Sequence, residues 1–269
     1  MFYKNVDLKR QKRITPWRKI SLGSWRPTGD SSIYTMHEFL MDPVIRFCKK
    51  KKISIHAFLI KAVGYAVAEN SHINAIIRFG RVYPRSNVDI FYHILAEADD
   101  GENLSGAVFR SPDKKTVKVI QNEYEEKSRE VLEEGDKVFK RTKRIFSFLP
   151  GFVSRLVLDT VALVTYKLNL WSPLLGTPRD PFGSIMITNI GSLGIDMAYC
   201  PIAPYTNNSM VISAGSVRTR PWVEGNQVKA KKTMKLCFTY DHRIMDGIHF
   251  MWLKESLEKV FQSPEKYLT

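Results

Sequence analysis

Hydrophobic and polar positions along the chain switch between a helical and an extended period. Apolar residues recur three and four apart over residues 55–70, which predicts a helix with Ser54 as its N-cap. A Lys- and Glu-rich stretch predicts a polar helix over residues 113–134, and an apolar stripe predicts a last helix from Gly247. Runs with a period of two predict strands near residues 75–79, 88–96, 106–110, 184–189, 209–214, 215–224 and 228–240. The succession of elements indicates one α/β domain over residues 1–269.

Two segments depart from this succession. Residues 1–30 are basic and punctuated by Pro and Gly, which predicts a basic, irregular N-terminal arm. Residues 135–180 are first basic and then strongly apolar, which predicts an insertion in the domain. Charged residues interrupt the apolar runs and argue against a membrane span; they are Arg155, Asp159 and Lys167. The insertion is either a pair of helices that pack on the domain or an element that docks on a membrane surface or an acidic carrier protein.

Charge and cysteine content narrow the partners and the compartment. Lys plus Arg number 41 against 27 Asp plus Glu, and the formal net charge is +14, which favours anionic partners. Nucleic acid is not favoured, because the basic arm lacks regularly interleaved aromatic residues. The three cysteines, Cys48, Cys200 and Cys237, are far apart and form no CxxC pair, which is typical of a reducing compartment without a zinc site. The first residues contain no apolar secretion signal, so we expect a cytoplasmic protein. The spacing of the histidines and cysteines does not suggest metal ligation, so we expect no metal site.

The stretch FTYDHRIMDGIHF, residues 238–250, is the strongest candidate for chemistry. It joins a strand pattern that ends at Tyr240 to a helix pattern that begins at Gly247, so His242 and Asp246 lie in the connection. Such connections, held by rigid flanks, often carry catalytic groups. A single histidine before a helix is more often structural, but the pattern DHRxxDG fixes five identities in seven positions and rarely arises by chance.

This DHRxxDG stretch resembles the motif of the catalytic domain of dihydrolipoamide acyltransferases of 2-oxoacid dehydrogenase complexes. Chloramphenicol acetyltransferase shares that fold and a shorter HxxxD form of the motif. Two more stretches resemble the same family, namely SIHAFLIKAVGYAVAENSHINA at residues 54–75 and ITNIGSLGID at residues 187–196. The resemblance implies an α/β, chloramphenicol acetyltransferase-like two-layer sandwich with a mixed β-sheet, which assembles as a homotrimer.

The resemblance also implies a reaction and its residues. Family members move an acyl group between the thiols of coenzyme A and dihydrolipoamide, so a coenzyme A thioester is an expected substrate. His242 matches the general base, which suits a thiol with a pKa of about 8.5 next to an imidazole of about 6.5. Thr188 matches the hydroxyl that stabilises the oxyanion. Asp246 matches the motif aspartate, which either orients His242 or caps the helix that follows; His249 is expected to be an ordinary helix residue.

Other features fit the large multienzyme complexes less well. The triplet Asp136-Lys137-Val138 resembles a lipoylation motif, but its helical, basic setting argues against a lipoyl attachment site on this chain. We therefore expect an acyltransferase with a free-standing catalytic domain and a thiol acceptor. Two alternatives remain: transfer to a hydroxyl, as in chloramphenicol acetyltransferase, and a non-catalytic trimeric scaffold, although a scaffold requires neither His242 nor Thr188.

Overall fold

A computed structural model describes residues 3–9, 30–95, 104–134, 151–173, 178–203 and 205–268. The strands are β1 Tyr3–Lys4, β2 Ser32–Leu40, β3 Ala75–Arg78, β4 Arg81–Pro84, β5 Asp89–Leu95, β6 Leu104–Arg110, β7 Leu170–Trp171, β8 Ile185–Asn189, β9 Met210–Ala214, β10 Arg218–Glu224 and β11 Gln227–Asp241. The helices are α1 Asp42–Lys51, α2 Ile55–Glu69, α3 Val117–Glu134, α4 Gly151–Ala162, α5 Gly247–Gln262 and α6 Pro264–Tyr267.

Seven strands form one mixed sheet in the order β10-β11-β9-β8-β5-β6, and β2 pairs with β11 as well. Neighbours β5, β8 and β9 run parallel to one another, whereas the other pairs in this sheet are antiparallel. The first half of β11 pairs with β10, and its second half lies between β2 and β9. His242 therefore follows directly from a strand that is fixed on both sides.

Helices cover one face of this sheet. Helices α1, α2, α3 and α5 share the main hydrophobic core with the inward side chains of the sheet. On α2, whose N-cap Ser54 accepts a hydrogen bond from the Ala57 amide at 3.1 Å, most side chains are buried. Ser54 also donates through Oγ to Gln121 Oε1 of α3 at 2.8 Å, which fixes the two helices to each other. A smaller cluster lies on the opposite face around Phe91, Met186 and Val211.

Most elements expected from the pattern are confirmed, with shifted boundaries. The polar helix begins at Val117, because a 3-10 turn over Pro112–Lys114 occupies the start of the expected range. The turn expected at Phe79 and Gly80 connects β3 to β4 with positive φ at both residues, as in the two-residue hairpin turns that match strand twist. No element was expected for residues 31–53, where β2 and α1 lie. Buried and exposed residues do not alternate regularly along these two elements. The hydrophobic pattern of the sequence therefore predicts neither of them.

The described beginning of the predicted arm, residues 3–9, packs on the domain. Strand β1 pairs with β7, and Val6 is buried in a small cluster with Ile76 and Tyr166. The Asn169 side chain accepts from the Val6 amide at 2.7 Å and donates to the Val6 carbonyl at 2.9 Å. These residues therefore form a seam with the end of the predicted insertion, while the rest of the arm, residues 10–29, lies outside the described residues.

The described part of the predicted insertion is helical and packs at its end. A π-helical segment, Leu163–Lys167, follows α4, and Lys167 Nζ donates to the Ile77 carbonyl at 3.0 Å. This end agrees with helices that pack on the domain. Four leucines of the segment remain exposed: Leu156, Leu163, Leu168 and Leu170. The basic residues at 137–144 and the triplet at Asp136 lie outside the described residues, and no helix in the described ranges is long and apolar enough to cross a bilayer.

Candidate active site

An ion pair fixes the beginning of the loop that carries His242. Asp241 is buried, and its carboxylate accepts hydrogen bonds from the backbone amide and the guanidinium of Arg243 at 2.7–3.1 Å. The bond to Asp241 raises the pKa of Arg243 further above its usual range. Ser31 Oγ donates to the same carboxylate at 3.0 Å, and the His242 amide donates to the Ser31 carbonyl at 2.8 Å. The loop is thereby tied to the chain next to β2.

The residues after this pair set the orientation of the His242 ring. Ile244 and Met245 are buried in the main core and anchor the middle of the loop. His242 Nδ1 lies 3.0 Å from the Met245 carbonyl oxygen. A carbonyl only accepts, so Nδ1 carries the proton in the neutral ring and Nε2 holds the lone pair. The side chain is 30% exposed, which leaves the ring within reach of a substrate.

Asp246 lies between His242 and the first turn of α5. It stands at the N-cap of α5 with extended backbone, and its amide donates to His249 Nδ1 at 2.9 Å. Its Oδ1 also lies 3.4 Å from His242 Nδ1. His249, expected to be an ordinary helix residue, therefore satisfies an amide at the helix start. The structure brings His242, Asp246 and His249 together.

Thr188 lies elsewhere on the sheet, near the end of β8. Ile185 and Ile187 point into the main core and Met186 points to the other face, so strand alternation places Thr188 on the face away from the helices. Thr188 is partly exposed there. Thr188 is therefore accessible from that side of the sheet.

A tight turn after Thr188 fixes the end of this strand. The Asn189 side chain accepts from the Gly191 amide at 3.1 Å, and Gly194 ends the 3-10 turn with φ of +75°. A Cβ at Gly191 would lie 2.6 Å from the Gly215 carbonyl oxygen, so only glycine allows this close approach. Asp196 then pairs with Lys235 on β11 at 2.9 Å, and the hydrogen bond from Lys235 lowers the pKa of its carboxyl.

The sheet register separates Thr188 from His242 within one chain. Thr188 pairs with Ser213, which pairs with Cys237 on β11. His242 follows five residues after Cys237 in the sequence. With about 3.4 Å per strand residue and about 4.8 Å between strands, Thr188 and Asp241 lie roughly 17 Å apart. One chain does not bring the two predicted catalytic groups together.

An exposed apolar surface lies on the same sheet face as Thr188. We call it the outer apolar surface; its members are Tyr34, Met36, Leu193, Ile195, Met197 and Tyr199, each 39% exposed or more. The rings of Tyr34 and Tyr199 meet edge to face at 5.6 Å. A cluster of this kind on a globular domain is typical of a protein–protein interface.

Two features of these sites are not predicted from the sequence. Asp241 and Arg243 were part of the recognised motif, but their pairing within it was not predicted. His93 and Thr188 each follow the last pair of the β5–β8 ladder, Tyr92 and Ile187, so both lie at the end of that ladder. Burial lowers the pKa of His93 to about 4. Strand alternation at residues 88–96 gave a signal for its face, but the partner strand was not visible in the sequence.

The family resemblance is confirmed for the C-terminal third of the chain. Residues 181–269 match the family model of the 2-oxoacid dehydrogenases acyltransferase catalytic domain. The dihydrolipoyllysine-residue acetyltransferase component of the pyruvate dehydrogenase complex of Acholeplasma laidlawii is 38% identical over 65 residues. That stretch is 24% of this chain and 12% of the Acholeplasma protein, so the chain matches only a small part of its curated relative.

Solved structures confirm the expected fold over most of the chain. The dihydrolipoamide acetyltransferase of Azotobacter vinelandii superposes with a TM-score of 0.65 and 14% identity, covering 88% of this chain and 84% of that one. A serine, a histidine and, four residues later, an asparagine were investigated in its catalytic mechanism. A chloramphenicol acetyltransferase superposes with a TM-score of 0.50 and 15% identity, covering 94% of this chain and 95% of that one. The chain has the chloramphenicol acetyltransferase-like α/β fold with a mixed sheet.

Proposed function

We propose that this protein is an acyltransferase that moves an acyl group from a thioester donor, such as an acyl-coenzyme A, to a thiol acceptor. The observation that carries the proposal is the DHRxxDG loop. It lies within residues 181–269, which match the acyltransferase catalytic domain, and it holds His242 with Nδ1 directed at a carbonyl. That arrangement keeps the lone pair on Nε2, as a general base requires.

In the proposed step, Nε2 of His242 removes the proton from the acceptor thiol as its sulfur attacks the thioester carbonyl carbon. A tetrahedral intermediate forms with the negative charge on the former carbonyl oxygen. The intermediate collapses by breaking the bond to the sulfur of coenzyme A, which takes the proton back from Nε2. Atoms and charge balance, since one thiol enters and another leaves. Neutral imidazole suits this exchange near pH 7.

The hydroxyl of Thr188 from a neighbouring chain donates a hydrogen bond to the oxyanion. The separation of roughly 17 Å along the sheet argues against a site built from Thr188 and His242 of the same chain. A homotrimer in which the outer apolar surface meets the His242 loop of the next subunit would join the two groups. A donor of this kind contributes about 3 kcal/mol to transition-state stabilisation.

Asp246 acts as a positioning residue. Its carboxylate lies 3.4 Å from His242 Nδ1, on the side of the ring away from Nε2. In this role it stabilises the imidazolium that forms during proton transfer, in addition to starting α5. Asp241 and Arg243 support the same loop from its other end.

In this proposal, the segment at residues 135–180 binds the partner that carries the acyl acceptor. The sequence from Lys137 to Arg144 is strongly basic, which suits an acidic carrier protein or an anionic membrane surface. At the segment's described end, burial lowers the pKa of Lys167, and the positive charge of Arg243 lowers it further. In this proposal such a carrier presents its thiol to His242.

A donor and acceptor screen tests the proposal. Purified protein is given several acyl-coenzyme A donors with dihydrolipoamide or other small thiols, and release of free coenzyme A is followed against a thiol-independent blank. We expect saturable transfer that falls at least about a hundredfold in His242→Ala, the scale of a lost general base. The matched control is His37→Ala, because that histidine pairs with Glu258 on the helix side of the sheet.

The screen also separates the other functions. Transfer to hydroxyl acceptors without transfer to thiols would replace the proposed acceptor class. Absence of transfer with every donor and acceptor, from a correctly folded oligomer, would favour the trimeric scaffold. Near-normal transfer by His242→Ala would contradict the assigned base.

A further inference from the structure

A second exposed apolar surface lies where the predicted insertion meets the β3–β4 hairpin. We call it the hairpin apolar surface; its members are Phe79, Leu156, Leu163, Leu168 and Leu170, each 38% exposed or more. It shares no residue with the outer apolar surface or with the His242 loop. Apolar side chains gathered at one place on a protein surface are typical of a contact with another protein or with a membrane.

Three of the leucines form one stripe along α4 and the π-helical segment. Leu156 and Leu163 are seven residues apart, which is close to two helical turns, so both side chains lie on the same side. The Leu168 amide donates to the Leu163 carbonyl at 2.8 Å, so the π-helical turn continues the stripe to Leu168. All three side chains stay exposed, so packing on the domain does not account for this stripe.

Hydrogen bonds join the β3–β4 hairpin to the end of the stripe. Arg78 Nε donates to the Lys167 carbonyl at 2.9 Å, and Lys167 Nζ donates to the Ile77 carbonyl at 3.0 Å. Phe79 and Leu168 are the next residues of the two segments, so both adjoin this junction. Phe79 lies at the tip of the hairpin with φ of +45° and is 65% exposed.

Exposed positive charges flank the apolar members. Arg81 begins β4 directly after the turn, and Lys4 lies opposite Leu170 in the pair of β1 with β7; both basic residues are exposed. Helix α4 adds one charge of each sign, Arg155 and Asp159. Long basic side chains lie along apolar surface with their charged ends directed outward. The surface therefore combines projecting apolar side chains with positive charges beside them.

We infer that the hairpin apolar surface binds an anionic lipid bilayer, with its apolar side chains at the boundary of headgroups and lipid chains and with Arg81 and Lys4 at the phosphates. Phe79 projects from a turn and the leucines project from a helix. A bilayer accommodates projecting apolar side chains in any arrangement, whereas a protein partner needs a surface of matching shape. The net charge of +14 and the basic run from Lys137 to Arg144 favour the same partner.

The bilayer is then the partner proposed above for residues 135–180, and this part of the inference rests on the proposed function. Lipid binding is measured without acyl transfer. A failure of the vesicle experiment therefore overturns the inference and leaves the proposed reaction standing, and an inactive protein that binds vesicles does the reverse.

The probes are unilamellar vesicles of phosphatidylcholine, alone or with about one quarter phosphatidylglycerol, and bound protein is separated by flotation at about physiological ionic strength. We expect saturable binding to the vesicles that contain phosphatidylglycerol. Binding to phosphatidylcholine alone should be at least about tenfold weaker, because the basic residues then lack anionic headgroups.

Two variants separate the surface from the general attraction of a basic protein to anions. Phe79→Asn combined with Leu163→Gln keeps the net charge, and Asn tolerates the positive φ of position 79. It should weaken binding to the anionic vesicles at least about tenfold, because the apolar contact is lost. The matched control is Val223→Thr with Val228→Thr, which removes two exposed apolar side chains from the β10–β11 hairpin and should bind like the unaltered protein.

A change of charge tests the positive flank. Arg81→Gln should weaken binding to the anionic vesicles about fivefold, the scale for one basic residue near an anionic surface. Its control is Arg46→Gln, the same substitution at an exposed position of α1, which should have little effect.

Circular dichroism and sedimentation velocity show whether each variant keeps its fold and its oligomeric state. Equal binding by folded Phe79→Asn/Leu163→Gln and its control would overturn the inference, as would equal binding to both kinds of vesicle. Absence of binding to either kind would also overturn it and leave a protein as the partner. A change of oligomeric state in Phe79→Asn/Leu163→Gln would overturn it in favour of a contact between copies of this chain.

Discussion

The stability of the fold in acid should depend on His93, which lies on the sheet face that carries Thr188. Burial lowers the pKa of His93 to about 4, while an unfolded chain returns it to about 6.5. Between these values the unfolded state binds a proton that the folded state does not, so stability falls as the pH falls through this window. A difference of about 2.5 pKa units corresponds to roughly 3 kcal/mol once the pH reaches the lower value.

The variant His93→Gln keeps a polar side chain without a titrating group, so it should lose less stability on acidification. Urea unfolding at pH 7.5 and pH 4.5, at one fixed protein concentration, gives the loss for each protein. We expect the loss to be smaller in His93→Gln by roughly 2–3 kcal/mol, because the carboxylates titrate equally in both. The control is His72→Gln at an exposed position. Parallel pH dependences of His93→Gln and the unaltered protein would refute the reasoning.

Two further substitutions address the proposed chemistry. Thr188→Ala should lower kcat by about a hundredfold or more and Thr188→Ser only mildly, as steady-state kinetics will show, since the hydroxyl is the donor to the oxyanion; equal rates for all three forms would remove Thr188 from the mechanism. Replacing Lys137, Lys140, Arg141, Lys143 and Arg144 by Ser should reduce transfer to protein-bound or membrane-borne thiols while transfer to a small free thiol is unchanged. Equal effects on both acceptors, or none, would leave the segment as structure alone.

Strong local periodicity explains which parts of the fold were predictable. Helix α2 has apolar residues on a regular period and a capping serine, and β11 passes into α5 with a clear change of period. Strand β2 and helix α1 gave no such signal. Half-buried residues occur along both faces of β2, and α1 is short, with only Val44, Phe47 and Cys48 buried. Their positions are set by pairing with β11 and packing on the core, which are long-range contacts.

The candidate site was predictable where its residues adjoin in sequence. The motif placed His242 and Asp246 together, and the structure has them 3.4 Å apart. The separation of Thr188 from His242 depends on the order of the strands in the sheet, about which the motif carries no information. The buried ion pair of Arg85 with Asp180 could not be predicted for the same reason, because the two residues are 95 apart in the sequence. Contacts of that range depend on the completed sheet.

Complementation between two inactive chains tests the shared active site most directly. His242→Ala and Thr188→Ala chains are each purified, mixed in equal amounts, unfolded together and refolded, and acyl transfer is compared with each variant refolded alone. If His242 of one subunit faces Thr188 of the next, random assembly gives about one intact site in four, and activity recovers to about a quarter of that of the refolded unaltered protein. Mixed samples as inactive as the separate variants, although hybrid trimers are shown to form, would contradict a site built from Thr188 and His242 of different chains.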